Sequence, residues 1–293
     1  MKSIAYVNGV YSPIEEAKIS ILDRGYYFGD GVYDVVLFFN HKPFALEDHL
    51  NRFEYSCREL GITSPYTRGE LAAILQEGCD QVEGAEQIVY FQLTRGIAPR
   101  THTYPEPRVK GSFMMTVNPH AFDSRAFEQG LRVKSYPDIR WGRCDIKTLN
   151  LIPNTMYTQR ARDEGVDEAL FVRDGHVTEF AARSAFMVKD GVVITHPQDH
   201  EVLVGTTRNH IVSLCGELGI PVKERLYTLE EACAADEFFT TSVVDRPSGV
   251  VEIDGHRIGD GQVGPMVRRL RQAYHRRVIA QCGPTYFDAY YTR

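Results

Sequence analysis

The sequence predicts a two-domain fold of mixed class, α+β / α/β, and three observations carry that expectation. A chain of 293 residues is longer than one hydrophobic core usually organises. Stretches of strand character, rich in β-branched and aromatic residues, occur in both halves beside stretches of helical period. The polar segment 119–130 reads as a linker between them. The expected division is a smaller N-terminal domain over 1–118, a larger C-terminal domain over 131–282, and a tail over 283–293.

In the first part, Ile4-Ala-Tyr-Val-Asn-Gly-Val10 predicts two short strands meeting at Asn8-Gly9. The glycines and aromatics of Asp23–Gly31 predict a shaped loop rather than a regular element. Val32–Phe39 follows as a strand. Leu46, Leu50, Phe53, Cys57 and Leu60 recur at helical spacing and Gly61 ends that helix. A second helix is expected over 69–82 and strands over 87–94 and 111–117. Between those strands lies the long Pro-containing loop 95–107, a length more often functional than not.

In the second part, a strand over 131–136 leads into Arg140-Trp-Gly-Arg-Cys-Asp-Ile-Lys-Thr-Leu-Asn-Leu-Ile-Pro-Asn154. A helix is expected over 154–164, then hairpins turning at Asp174-Gly175 and Asp190-Gly191. Gly205-Thr-Thr-Arg208 precedes a helix with Ile211, Leu214, Cys215 and Leu218 on one face. Thr228 with Glu231 forms a capping box. Strands at 237–241 and 250–253 come before a last helix, begun at Pro265 and striped by Val267, Leu270, Tyr274 and Val278. The tail carries Tyr286, Phe287, Tyr290 and Tyr291, suited to disorder or to docking on a neighbour.

Composition excludes several classes. The chain is 43% hydrophobic and 25% charged, with net charge -6, so neither nucleic acid nor an anionic membrane is an expected partner. No apolar run approaches a membrane span, and the N-terminus has no secretory h-region. Six cysteines show no CxxC pair and no metal-ligand spacing. They read as reduced thiols of a cytoplasmic protein without a metal site.

The candidate chemistry centres on Lys147. Flanked by Ile146, Leu149, Leu151 and Ile152, its ammonium is poorly placed for full hydration. Desolvation favours the neutral amine, which attacks aldehydes. For a lone lysine the ordinary alternative is a side chain that snorkels to water. Four separated stretches decide between them: Gly29-Asp-Gly-Val-Tyr33, Lys147-Thr-Leu-Asn150, Thr178-Glu179 and Gly205-Thr-Thr-Arg208. In this order they resemble the fold-type IV pyridoxal-phosphate enzymes, over residues 4–280. Within that group Arg95-Gly-Ile-Ala-Pro-Arg-Thr-His102 and Arg140–Lys147 are most similar to the D-amino-acid transaminases.

The resemblance implies a homodimer that moves an amino group from a D-amino acid to a 2-oxo acid through pyridoxamine phosphate. It implies that Lys147 carries pyridoxal 5′-phosphate and shuttles the proton, and that Glu179 pairs with the pyridine nitrogen. It implies that Arg52, Thr206, Thr207 and Ser242 hold the phosphate. Tyr33 then lies beside the reacting centre, and Arg100 and His102 trap the substrate α-carboxylate from the other subunit. The alternative is a relative with other substrates: an (R)-amine or branched-chain transaminase, or an aminodeoxychorismate-type lyase. The chain departs from the transaminase pattern at Phe180-Ala-Ala-Arg-Ser184, where small hydroxyls are usual, and at Val243. Arg183 is therefore expected either to face a substrate carboxylate or to pair with a structural acid.

Overall fold

The computed structural model describes residues 3–121, 124–285 and 288. Tyr286, Phe287, Tyr290 and Tyr291 of the expected tail lie outside them. The chain forms two compact units. The first comprises Met1–Ala121, Ile146–Asn150 and Val278–Asp288, the second Phe122–Asp145, Leu151–Arg277 and Ala289–Arg293.

In the first unit, β1 (Ile4–Val7) and β2 (Val10–Pro13) meet at Asn8-Gly9, whose φ values of 48° and 104° suit a tight turn. The segment expected as an irregular loop instead forms a short helix, α1 (Arg24–Phe28). The Asp23 carboxylate accepts the Gly25 N–H at 2.8 Å and Gly29 ends the helix at φ 61°. Aromatic content hid this helix, because the cap and the left-handed terminator supply the signal. Then come β3 (Gly31–Phe39), β4 (Lys42–Pro43), α2 (Leu46–Glu59), α3 (Arg68–Asp80), β5 (Glu86–Thr94) and β6 (Ser112–Pro119). The strands make one antiparallel sheet in the order β2-β1-β6-β5-β3-β4. The core joins Leu50, Phe53 and Cys57 of α2 and Leu71, Leu75 and Cys79 of α3 to Val36, Val89, Phe91 and Met115 of the sheet. These are the apolar positions that the helical period marks.

The segment expected as linker carries a helix, α4 (Ser124–Gln129). The second unit continues with β7 (Leu131–Pro137), α5 (Ile152–Asp163), β8 (Glu168–Arg173), β9 (His176–Phe180), β10 (Ser184–Lys189) and β11 (Val192–Thr195). After these come α6 (Thr206–Glu217), β12 (Val222–Glu224), α7 (Leu229–Cys233), β13 (Glu237–Ser242), β14 (Arg246–Ile253), β15 (His256–Arg257) and α8 (Pro265–Cys282). Its sheet runs β12-β11-β10-β13-β14-β7-β8-β9, with β15 on β14. The β11–β12, β14–β7 and β7–β8 pairs are parallel and the others antiparallel. The capping box at Thr228 and Glu231 opens α7. No helix among the described residues is long and apolar enough to cross a membrane.

Candidate active site

Lys147 packs with the first unit although its nearest strands in sequence belong to the second. Its main chain is fastened to the start of β3: the Tyr33 N–H donates to Lys147 O at 3.0 Å and the Leu149 N–H to Gly31 O at 3.0 Å. The Lys147 N–H donates to Ser56 Oγ of α2 at 3.1 Å. The glycines of Gly29-Asp-Gly31 make this approach possible. A Cβ on Gly29 would lie 2.8 Å from Asn150 Oδ1, and one on Gly31 would lie 2.8 Å from Leu93 O. The Lys147 Nζ sits 4.3 Å from the Tyr33 ring centroid, and that ring stacks on Tyr90 at 5.4 Å. The lysine is half-buried. It has no hydrogen bond or ion pair at Nζ among the described residues. A fixed backbone with an uncommitted amine is what a nucleophile requires.

Arg52 is 7% exposed, and its guanidinium is set by a carboxylate that sequence reasoning did not single out. Asp34, fully buried on β3, accepts from Arg52 Nε at 2.8 Å and Nη2 at 2.7 Å. It also bonds His49 Nδ1 at 2.8 Å. Burial works to raise the Asp34 carboxyl, yet the Arg52 charge and the His49 hydrogen bond hold it well below the usual carboxylate range. Asp34 was legible as a charge inside an apolar strand, a placement that demands a partner.

Arg100 and His102 come together on one ring. The Arg100 guanidinium lies 5.1 Å from the Phe28 centroid, and the His102 ring 5.7 Å from it. Both side chains are exposed. Their loop is anchored by Arg24, 3% exposed, whose Nη1 donates to Thr101 O at 2.8 Å and whose Nε meets Asp30 at 2.7 Å. Arg95 shares Asp30 at 2.9 Å and stacks on Tyr104 at 3.5 Å.

In the second unit Glu179 is 5% exposed at the end of β9. It accepts a short hydrogen bond from Arg140 Nη1 and longer ones, at 3.2 and 3.3 Å, from the Leu203 N–H. Burial pushes the Glu179 carboxyl up, against the pull of Arg140. Arg140 is held in turn by Asp138, Nη2 to Oδ2 at 2.7 Å, and donates to Glu201 O at 3.1 Å. Arg140 belonged to a motif in the sequence without a role attached to it; it orients Glu179.

Thr206 and Thr207 are the first two residues of α6, both buried. Gly205 caps the helix without a side-chain bond, so the threonines do not serve as its N-cap. A Cβ on Gly205 would lie 2.7 Å from Ser184 Oγ. Ser242 Oγ donates to Asp245 Oδ2 at 2.9 Å and receives the Asp245 N–H at 2.9 Å, a closed turn.

Arg183, one of whose expected roles was to meet a substrate carboxylate, is engaged by two acids of the chain. Nε lies 3.0 Å from Glu168 Oε2 and Nη2 lies 3.2 Å from Asp245 Oδ2. The second expectation, pairing with structural acids, describes this geometry. The Phe180 ring, at the start of the stretch that departs from the transaminase pattern, is fully buried in the second unit's core, edge-on to Phe238. Arg183→Ala is expected to leave Glu168 short of its cation and to lower stability by about 1–3 kcal/mol. Denaturant unfolding, with relative rates on mono- and dicarboxylic substrates, separates this role from a substrate contact. Loss confined to dicarboxylic substrates would assign the contact instead.

Comparison with known proteins places these features in company. The family described as Amino-transferase class IV matches residues 31–253. The D-alanine aminotransferase of Staphylococcus haemolyticus is 36% identical over 271 residues, 92% of this chain and 96% of that protein. The solved Escherichia coli branched-chain amino acid aminotransferase superposes with a TM-score of 0.87 at 23% identity, covering 94% of each chain. The branched-chain aminotransferase of the thermophilic archaeon Thermoproteus uzoniensis, solved with norvaline, has TM-score 0.84 and 25% identity, covering 97% of each chain.

Proposed function

Because the chain belongs to the class IV aminotransferases and has their type IV fold, we propose that it moves an amino group from a D-amino acid to a 2-oxo acid with pyridoxal 5′-phosphate as cofactor. The observation that carries this reading is Lys147, its backbone fastened at both its N–H and its carbonyl and its amine uncommitted over the Tyr33 ring.

The residues fit the cofactor. The uncapped start of α6 leaves backbone N–H groups and the helix dipole for a phosphate. Thr241 Oγ1, beside Ser242, is buried without a hydrogen-bond partner among the described residues. In this reading Arg52, Thr206, Thr207 and Ser242 hold the phosphate, and Asp34 fixes the direction of the Arg52 fork. Bound, the cofactor supplies a conjugated ring that takes up the electron pair left at substrate Cα. Glu179, braced by Arg140, would keep a proton on the ring nitrogen, and Lys147 Nζ would carry the proton between substrate Cα and the cofactor carbon that bears the aldehyde. Arg100 and His102 hold the substrate α-carboxylate.

The same reading makes the enzyme a homodimer of the cytoplasm, with domains 1–118 and 131–282 joined through 119–130. Ile21 and Tyr26 are 73% and 71% exposed, and Ile97 and Tyr104 are exposed beside the Arg100 loop. Such an apolar surface suits burial against a second copy. All six cysteines are free, which suits a reducing compartment.

The test is to mix the cofactor-loaded protein with D-alanine, L-alanine, D-glutamate and (R)-1-phenylethylamine separately and follow the visible absorption. A change with D-amino acids alone supports the reading. A change with the amine or the L-amino acid assigns a neighbouring specificity. Arg100→Ala is expected to raise KM for D-amino acids about 10–100-fold, the loss of a charge-assisted carboxylate contact, and steady-state kinetics measure it.

A further inference from the structure

The segment between β11 and α6 holds a side-chain cluster that the transamination chemistry does not use. His196, Asp199 and Glu201 each offer one ligand atom within 4.8 Å of the other two. His196 is 2% exposed. Its Nδ1 lies 2.9 Å from Pro197 O, a group that can only accept, and 3.9 Å from Asp199 Oδ1; a proton on Nδ1 leaves the lone pair of the neutral ring on Nε2. Nε2 is buried with no hydrogen-bond partner among the described residues. It lies 3.6 Å from Glu201 Oε2, about the separation of two donors on one zinc-sized ion. Asp199 Oδ1 receives the Glu201 N–H at 2.8 Å, which holds the two acids on one turn.

We propose that His196, Asp199 and Glu201 bind a divalent transition cation of the zinc class. One imidazole nitrogen and two carboxylates form a borderline donor set that zinc, cobalt and manganese accept. A ring nitrogen tied to a carbonyl, with the other nitrogen facing the ion, is the usual arrangement of a ligating histidine. Arg173 Nη1, 3.9 Å from Glu201 Oε1, opposes the ion's charge, so the affinity is micromolar rather than tighter. The turn that carries the ligands also supplies Glu201 O to Arg140 and the Leu203 N–H to Glu179. A bound ion therefore ties down the segment that braces the Arg140–Glu179 pair.

The proposal is independent of the substrate, and its test reads binding rather than turnover. The cofactor-loaded protein is stripped with a chelator and titrated calorimetrically with Zn²⁺, then with Co²⁺ while the visible ligand-field absorption is followed. The expected result is one ion per chain at micromolar Kd, weakened at least tenfold in His196→Gln, Asp199→Asn and Glu201→Gln. The two acidic variants alter partly exposed side chains, so they decide the matter even if His196→Gln does not fold. Absence of stoichiometric binding to the parent protein overturns the proposal. So does binding of equal affinity in Asp199→Asn and Glu201→Gln, which would put the ion elsewhere.

Discussion

Lys147→Ala is expected to lower turnover by about 10⁴-fold, the upper range for loss of a positioned acid–base group. The fold should survive, because the contacts that fix position 147 are made by main-chain atoms: its O to the Tyr33 N–H and its N–H to Ser56 Oγ. What is lost besides chemistry is the packing of Nζ on Tyr33, about 1 kcal/mol at a half-buried site. The measurement is a pair: kcat with D-alanine and a 2-oxo acid, and the urea unfolding midpoint. A small exogenous amine should restore part of the rate, since the truncation leaves room for one. Retention of activity within tenfold of the parent would remove Lys147 from the mechanism.

The largest expected effect on stability is at Asp34. Asp34→Asn removes the charge opposite a buried Arg52 and replaces one of the two oxygens that accept from Arg52 and His49 with an NH2 donor. Leaving a buried cation uncompensated costs about 3–5 kcal/mol, and the loosened guanidinium should weaken cofactor binding as well. The pH dependence has a definite sign. The Asp34 carboxyl is depressed in the folded chain, so between the folded and unfolded pKa values the unfolded state binds more protons. Its contribution is complete above about pH 4, the ordinary carboxylate value. It is lost as the pH falls through the folded pKa. The parent should therefore lose stability in acid more steeply than Asp34→Asn, as denaturant midpoints at several pH values would show.

Much of the fold was legible in the sequence, and the exceptions have physical causes. Strong periodicity located α2, α3, β3, β5 and α8 to within a residue or two. The helix at Arg24–Phe28 was missed because an Asp cap and a left-handed Gly29 make it, not an apolar stripe. Of the candidate site, motif order singled out Lys147 and Glu179. Their supports were harder to see. Asp34 lies in the interior of a strand, and Arg140 is held by Asp138, two residues earlier, and by Glu179, far along the chain. Sequence spacing carries no information about such pairings. Arg183 shows the same gap: its place in the atypical 180–184 stretch was readable, but the acids it meets come from β8 and from the turn after β13.

The fastening of Lys147 to β3 also bears on the order in which the protein acquires its chemistry. Thr148 Oγ1 meets Gly31 O across 117 positions of chain. Closing so large a loop costs entropy before the join returns any energy. During synthesis, the strands of the first sheet, β1 to β6, leave the ribosome before residue 147. On the proposed reading, the amine of Lys147 is supplied by a segment made after the strand to which it is fastened. Activity therefore requires that long join to close and, on the proposed reading, also the later residues Glu179, Thr206, Thr207 and Ser242.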